Sequence, residues 1–358
     1  MGLITIDKKY TPKPGTEISI KGMPATQQQP SLGICYAYTA SVLIDKAYCD
    51  EKNIADCGNA PAASKTSPLD LARFSRKLSD DVDFTDRFNY EGIKEGGDVA
   101  TTLQNALATS TIVKSSCADP SWFLSNKTDP VVAQKEELEV WSSLKSFYKQ
   151  YREQKKSCGQ CAERTAEELS RKIKEMSGFK RDDYVLEDLR AAFKEKSYDI
   201  FLDKVLIPDR CWDLKNMTSG SQHTRLRIFP EHPKAADGSV VFLEGDDEVN
   251  FTSYDELLAK IKSVLAAGSP LGIGLCLQPE FTAKTRKQCE PYGHSVVISG
   301  YRKVCHGQHC KDSLKVINSW GEDWQVSNDN GWLDANNLLD RSLYTPQAIA
   351  WLEKEPSE

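Results

Sequence analysis

The sequence lacks any hydrophobic run long enough to cross a bilayer. Its most apolar stretch, residues 264–277, is interrupted by Gly268, Ser269 and Pro270 and falls short of the roughly 18 residues a spanning helix needs. An excess of positive charge is also missing, with 46 Lys and Arg against 52 Asp and Glu and a formal net charge of -6. Affinity for a phosphate backbone rests on clustered cations, so neither a membrane span nor a nucleic-acid partner is expected. Gly at 21 and Pro at 16 of 358 residues are too few for a collagen-like or low-complexity chain. A hydrophobic content of 39% is too high for intrinsic disorder. The first ten residues, MGLITIDKKY, lack the apolar core of a signal peptide; an export leader is expected either not to exist or to have been removed. What is left is a globular chain whose length suits one large or two ordinary domains.

Cysteine, by contrast, is abundant. Eleven are too many for a typical reduced cytosolic enzyme, and an odd number leaves at least one thiol unpaired. One free and ten paired is the expectation, with close pairs such as Cys49 and Cys57, Cys276 and Cys289, and Cys305 and Cys310 suited to closing local loops. This points to an extracytoplasmic setting: secreted, periplasmic or lysosome-like. Sequons at Asn126, Asn216 and Asn250 are compatible with it. Cys158-Gly-Gln-Cys161 has redox spacing but lies between predicted helices, not after a strand as a thioredoxin-type site would. Cys305-His306-Gly-Gln-His309-Cys310 offers either four zinc ligands or a disulfide-pinned hairpin, and the hairpin is preferred. No metal and no cofactor are expected, and His223 and His232, in polar loop-like surroundings, are expected to face solvent.

One cysteine stands apart. In QQQPSLGICYAYTAS, residues 27–41, Cys35 opens a stretch in which Ala37, Ala40, Ser41, Ile44 and Tyr48 recur at helical spacing. The run Gln29-Pro30-Ser31-Leu32-Gly33 before it reads as a turn, with Gly33 letting the chain pass close to a ligand. Unpaired N–H groups and the macrodipole at a helix N-terminus stabilise a thiolate, which makes Cys35 the expected free and reactive cysteine. The stretch resembles the signature of the papain family of cysteine peptidases: Gln, five residues, Cys, aromatic, Ala, aromatic, Ser. Gln29, Cys35, Tyr36, Ala37, Tyr38 and Thr39 occupy those positions. Tyr36 stands where a tryptophan is usual, and Leu32 where the family commonly has a cysteine bridged within the same lobe.

Such a site needs a base and an orienting amide far downstream. PYGHSVVISGY supplies His294 at the start of a strand, and LKVINSWGEDW supplies Asn318, then Ser319, Trp320, Gly321 and Trp324. With only five histidines in the chain, His294 preceding that segment is unlike coincidence. Both segments resemble the family's histidine strand and its Asn-Ser-Trp-Gly segment, although Gly293 and Ser295 flank the histidine with less usual residues. The resemblance implies a thiol peptidase acting on peptides or proteins. Cys35 would attack as thiolate, His294 hold that thiolate and protonate the leaving amine, Asn318 orient the imidazole and Gln29 donate to the oxyanion. Trp320 would shield the Asn318 to His294 bond from water. By order in the chain, Gly96, Gly97, Asp98 and Val99 match the family's substrate-binding loop, and Ser295 and Trp320 would also line the cleft.

His294 stands about 260 residues after Cys35, against the roughly 130 to 150 expected between these residues in papain relatives. Residues 118–234 account for the difference, being charge-dense and strongly helix-periodic. Leu138, Trp141, Leu144, Tyr148 and Tyr151 follow the helix start Asp129-Pro130. Thr165 and Glu168 form a capping box before Leu169, Ile173 and Met176, with Gly178 as the stop. Leu186, Leu189 and Phe193 suggest a third helix. These helices either extend the lobe they leave or form a subdomain controlling access. Around them, Ser67-Pro68 with Asp70 caps a helix carrying Leu71, Phe74 and Leu78, and Val99, Leu103, Ala106 and Leu107 mark another. Residues 254–267 read as helix and 271–277, 296–301 and 314–319 as strands.

The expected fold is α+β, a papain-like two-lobe arrangement with a helical left lobe, a β-barrel-like right lobe and an inserted helical segment. Residues 1–117 would form the N-terminal region and left lobe, 118–234 the insertion and 235–358 the right lobe. The resemblance itself covers roughly residues 20–117 and 235–345. Alternatives at this level are a catalytically idle peptide-binding relative and an acyltransferase with the same triad. The 28 residues before Gln29 are too short for the inhibitory propeptide usual in the family. Such a propeptide is expected to be cleaved or absent, with a propeptide or protein inhibitor as a further partner, and the inserted helices are a candidate for control.

Overall fold

The structure is a computed structural model that describes residues 3–75, 92–109, 111–125, 128–218, 224–230, 253–278, 293–342 and 349–354. Two short strands, β1 (Thr11–Pro12) and β2 (Ile18–Ser19), lead into helix α1 (Cys35–Glu51). Every residue of α1 from Cys35 to Lys46 is buried, the signature of a helix enclosed on all sides. Ser67 caps α2 (Pro68–Leu71), accepting from the Asp70 N–H, with Pro68 in the first turn. The chain continues only as a 3-10 turn, Ala72–Ser75, so the regular helix is shorter than the one predicted through Phe74; Leu78 lies outside the described residues. Next come α3 (Val99–Thr109) and β3 (Ile112–Val113).

Of the expected helical segment 118–234, the described residues are mainly helical only as far as 216, since strands at Met217–Thr218 and Thr224–Phe229 follow; the helix boundaries also differ from the sequence expectation in instructive ways. Asp129 caps α4 (Pro130–Ser157) by accepting from the N–H groups of Val131 and Val132. Its buried stripe runs through Glu137, Val140, Leu144, Tyr148 and Tyr151, while Leu138 is 48% exposed; the apolar series read from the sequence matches this stripe from Leu144 onward and lies one position off before it. Helix α5 (Gly159–Glu175) starts well before Thr165 and Glu168, which lie inside it. The cap is instead Cys158, whose Sγ accepts from the Cys161 N–H at 3.2 Å, so one residue turns the chain from α4 into α5. Helix α6 (Leu186–Ala192) matches the third expected helix. Helix α7 (Tyr198–Leu206), capped by Ser197, was not anticipated.

These helices bury no separate core. Leu144, Tyr148, Leu169, Phe193 and Phe201 share one apolar cluster with Ile34, Leu43, Leu71 and Leu103. The ends of the segment are held together by the Cys117–Cys211 disulfide and by pairing of β3 with β4 (Met217–Thr218). A buried charge network adds to this. Arg73 Nε donates to Asp70 at 2.8 Å and lies 3.4 Å from Asp203 of α7, while the Trp212 ring sits 4.4 Å from the same guanidinium.

The rest of the chain forms an antiparallel sheet. After β5 (Thr224–Phe229), α8 (Tyr254–Ala266) begins at a Ser253/Glu256 capping box. Then follow β6 (Leu271–Cys276), β7 (Gly293–His306), β8 (His309–Ile317), α9 (Glu322–Ser327), β9 (Trp332–Asp334), α10 (Ala335–Ser342) and β10 (Ile349–Lys354). The strand order is β5–β10–β6–β7–β8–β9, with β1 and β2 also pairing with β7. β7 and β8 extend well beyond the apolar runs that marked them, because their outer ends, with Arg302, Lys303, Lys311 and Asp312, pair as a hairpin. Leu257, Ile261, Leu271, Val296, Leu314 and Leu338 form a second core between this sheet and α8 and α10. Helix α1 lies against β6, β7 and β10 and joins the two cores. At Gly272 of β6 an added Cβ would come 2.9 Å from both Thr39 and Val99, so the strand needs a bare Cα where α1 and α3 press on it.

Disulfides join Cys49 to Cys57, Cys117 to Cys211, Cys158 to Cys161 and Cys305 to Cys310. The last ties directly paired residues of the β7–β8 hairpin, so those thiols are not zinc ligands. Cys276 is also disulfide-bonded; Cys289, its expected partner, lies outside the described residues, as do Asn126, Asn250, His223 and His232. Asn216 is described, and its side-chain amide donates to the Arg210 carbonyl at 2.7 Å. The disulfides are consistent with an oxidising, extracytoplasmic setting. None of the described helices is long and apolar enough to cross a membrane.

Asp45 is buried on α1, and one carboxylate oxygen accepts from the Thr66 N–H and hydroxyl, each at 2.9 Å. Burial pushes this carboxyl up to about 7, with the Thr66 bonds opposing. The folded chain therefore keeps a proton that the unfolded chain releases near the ordinary carboxylate value of about 4, and stability falls as pH rises between those two values. Asp45→Asn is expected to raise the melting temperature relative to wild type at about pH 8 and to lose that advantage below about pH 4. Thermal melts across this range check it; a difference independent of pH contradicts it.

Candidate active site

The N-terminus of α1 is open. Ile34 makes no side-chain cap, and no acidic residue occupies the first turn, so the orphan N–H groups there are left to other acceptors. Cys35 is the free cysteine among the described residues and is 8% exposed. Burial pushes its thiol up, while the Ser295 backbone N–H, the N–H groups of Tyr36 and Cys35 and the Ser295 hydroxyl pull it down. Ser295, one of the groups that act on the Cys35 thiol, directly follows His294 in β7.

His294 sits at the second position of β7, paired with Leu275 of β6, and is 6% exposed. Its Nε2 lies 2.9 Å from Oδ1 of Asn318, just beyond the end of β8. An amide oxygen only accepts, so Nε2 carries the hydrogen and Nδ1 is the basic nitrogen. Burial lowers the imidazole to about 4, with the Asn318 bond opposing. The Trp320 ring stacks on His294 at 4.6 Å and 25°, and Trp324 meets Trp320 edge-on at 5.6 Å. The Trp320 indole covers the imidazole face, and Asn318 is fully buried, so the hydrogen bond is shielded from water.

Gln29 is laced to the same segment. Its N–H donates to the Ser319 carbonyl at 2.7 Å, and its Oε1 accepts from the Ser319 hydroxyl at 2.5 Å. Gln28 bridges to Trp320, and the Gly321 N–H donates to Gln27 at 3.1 Å. With the amide oxygen engaged, Nε2 is the end of Gln29 left to donate. Ser319 was recognised in the motif, but its role in orienting Gln29 has no sequence signature.

On the opposite side, the Gly96 N–H donates to Gly33 at 2.7 Å and the Gly33 N–H to Glu95 at 3.4 Å. Tyr36 is fully buried, and its hydroxyl donates to the carbonyls of Ala72 at 3.0 Å and Lys94 at 2.6 Å. This tyrosine ties the chain before the glycine pair to α1. Gly96 and Gly97 are exposed. Asp98 is half-buried and caps α3, accepting from the Thr101 N–H at 2.8 Å. Val99 is 5% exposed within the apolar core against Gly272. Cys35, His294, Ser295, Asn318, Trp320 and Gln29 therefore come together where α1 meets β7, with Gly96 beside Gly33 and Val99 turned into the packing.

Glu137, which no sequence pattern singles out, is 7% exposed and accepts from the Ser31 N–H and from Trp141 Nε1. A cavity of about 330 Å³ is lined by Leu43, Lys46, Asp50, Pro270 and Trp351. It lies about 12 Å or more along α1 from Cys35 by helical rise and holds none of these groups. No family model matches the chain, and no curated protein matches it.

An added Cβ at Gly97 would lie 2.6 Å from the Ser75 Cβ and 2.8 Å from the Tyr36 ring, whereas at Gly96, with φ +76, it would meet nothing within 4 Å. Gly97→Ala is expected to cost about 1 to 3 kcal/mol through overpacking, and more than Gly96→Ala, whose cost is backbone strain alone. Denaturant midpoints of the two variants check the order; equal midpoints contradict it.

Proposed function

We propose that the chain is a papain-like cysteine peptidase in which a helical and a β-rich lobe meet at α1, with Cys35 as nucleophile and His294 as its base. The observation that carries this reading is the His294 to Asn318 hydrogen bond under Trp320, with Ser295 of the same strand on the Cys35 thiol. Cys35 gives its proton to Nδ1 of His294 and attacks the scissile carbonyl. The oxyanion takes hydrogen bonds from Gln29 Nε2 and the Cys35 N–H. His294 then protonates the leaving amine as the C–N bond breaks, leaving a thioester on Cys35. A water, deprotonated by His294, attacks that thioester and releases the acid product. Asn318 holds the imidazole in one orientation by accepting from Nε2–H throughout. The free thiol, the bonded imidazole and the donating end of Gln29 favour a working enzyme over an idle relative.

The reactive form holds one proton on the Cys35–His294 pair, whichever atom carries it. A lowered imidazole makes this form available at lower pH, and a raised thiol preserves it to higher pH. The profile of kcat/KM is therefore expected to rise near pH 4 and stay flat through neutrality; an acid limb at the ordinary histidine value of about 6.5 contradicts it. In a peptide-library digest, Cys35→Ala is expected to abolish turnover while leaving the melting temperature near that of wild type. Equal hydrolysis by both proteins refutes the assignment.

A further inference from the structure

Between Gln29 and Cys35 the chain has no regular secondary structure, yet it must hold the oxyanion donors to a few tenths of an ångström for them to act. Its ends are tied: Gln29 to Ser319, and Gly33 to Gly96. In the middle, the Ser31 N–H donates to the Glu137 carboxylate, one turn before Trp141 on α4. Leu32, where the papain resemblance leads one to expect a covalent tie, is instead packed in the core at 2% exposure.

Glu137 is an expensive residue for this place. It is 7% exposed, and its Oε1 accepts from two neutral donors, the Ser31 N–H and Trp141 Nε1. After burial and Asp119, its charge is a further influence that keeps the hydroxyl of the buried Tyr38 of α1 protonated. Among the described residues no cation pairs with it. A buried carboxylate held only by neutral donors costs more than an apolar side chain of its size in a well-packed core. Helix packing alone does not call for it; the loop's unpaired N–H does.

We infer that Glu137 is a positioning residue, through which the inserted helix α4 holds the Ser31 turn so that Gln29 and the Cys35 N–H stay aimed at the developing oxyanion. The inference rests on the peptidase reading for its catalytic consequence, while the tie itself is independent of that reading. It assigns residues 118–234 a part in the chemistry. The helices brace the loop that carries the donors from behind, and α7 does the same for the loop before Gly96, where the Asp199 carbonyl accepts from the Ile93 N–H at 3.0 Å.

The test compares Glu137→Ala, Glu137→Gln and Glu137→Asp in the full chain by peptide hydrolysis and by hydrogen exchange at residues 29–34. Glu137→Ala is expected to lower kcat by about tenfold to a hundredfold with KM little changed, and to speed exchange of the Ser31 amide. Glu137→Gln keeps an acceptor oxygen and is expected to recover most of kcat and of the protection. If Glu137→Ala fails to fold, Glu137→Asp, one methylene short of the loop, is expected to show the same kcat loss and faster exchange. Wild-type kcat together with unchanged Ser31 exchange in the shortened variants overturns the inference, as does a Glu137→Gln variant as impaired as Glu137→Ala. If wild type itself hydrolyses nothing, the peptidase reading fails on its own, and Ser31 exchange still decides whether Glu137 holds the loop.

Discussion

The packing of the uncapped start of α1 against the start of β7 is the constraint on which the rest depends. It sets the helix that Cys35 opens against the strand that carries His294 and Ser295, and Ser295 is among the groups that lower the thiol. A thiol and an imidazole buried separately would both rest neutral, the first raised and the second lowered by loss of water. On the proposed reading the two share one proton, and moving it from sulfur to nitrogen would create two charges that attract each other where water does not screen them. Burial thus penalises each ionised group alone and strengthens the pair.

Two sets of supports keep this contact in register. On the strand side, Asn318 fixes the imidazole, Trp320 covers it, and the segment that carries both is laced to Gln27, Gln28 and Gln29. On the helix side, Tyr36 anchors the glycine loop through its hydroxyl, while the inserted helices share the core of α1 and reach the turn before Cys35 through Glu137. The Cys117–Cys211 disulfide and the β3–β4 pair close the segment carrying α4 to α7 at its base, and its apolar residues share the core of α1.

Local chemistry made much of this legible in the sequence. The cap residues Asp129 and Ser67, the strand of His294 and the hairpin at Cys305 and Cys310 each follow from a few neighbouring residues, and so does the reading of Cys35 as the unpaired thiol. What escaped depends on partners distant along the chain. The α5 start escaped because a cysteine sulfur serves as its cap, and α7 because its apolar residues, Ile200, Phe201, Leu202 and Val205, do not form a simple stripe. Glu137 looked like one more charge on a charge-rich helix until Ser31 was found against it. Val99, read by order as lining a subsite, packs against Gly272, a contact with no signature in the neighbouring sequence.

The most direct test is the pH dependence of Cys35 alkylation by iodoacetamide, followed by mass at that residue in wild type and in His294→Ala. A sulfur that shares its proton with His294 is labelled in wild type from about pH 5, and in His294→Ala only at or above the ordinary thiol range of about 8.5. The same pH dependence in both proteins would mean that His294 does not act on Cys35, and would contradict the pairing on which the peptidase reading stands.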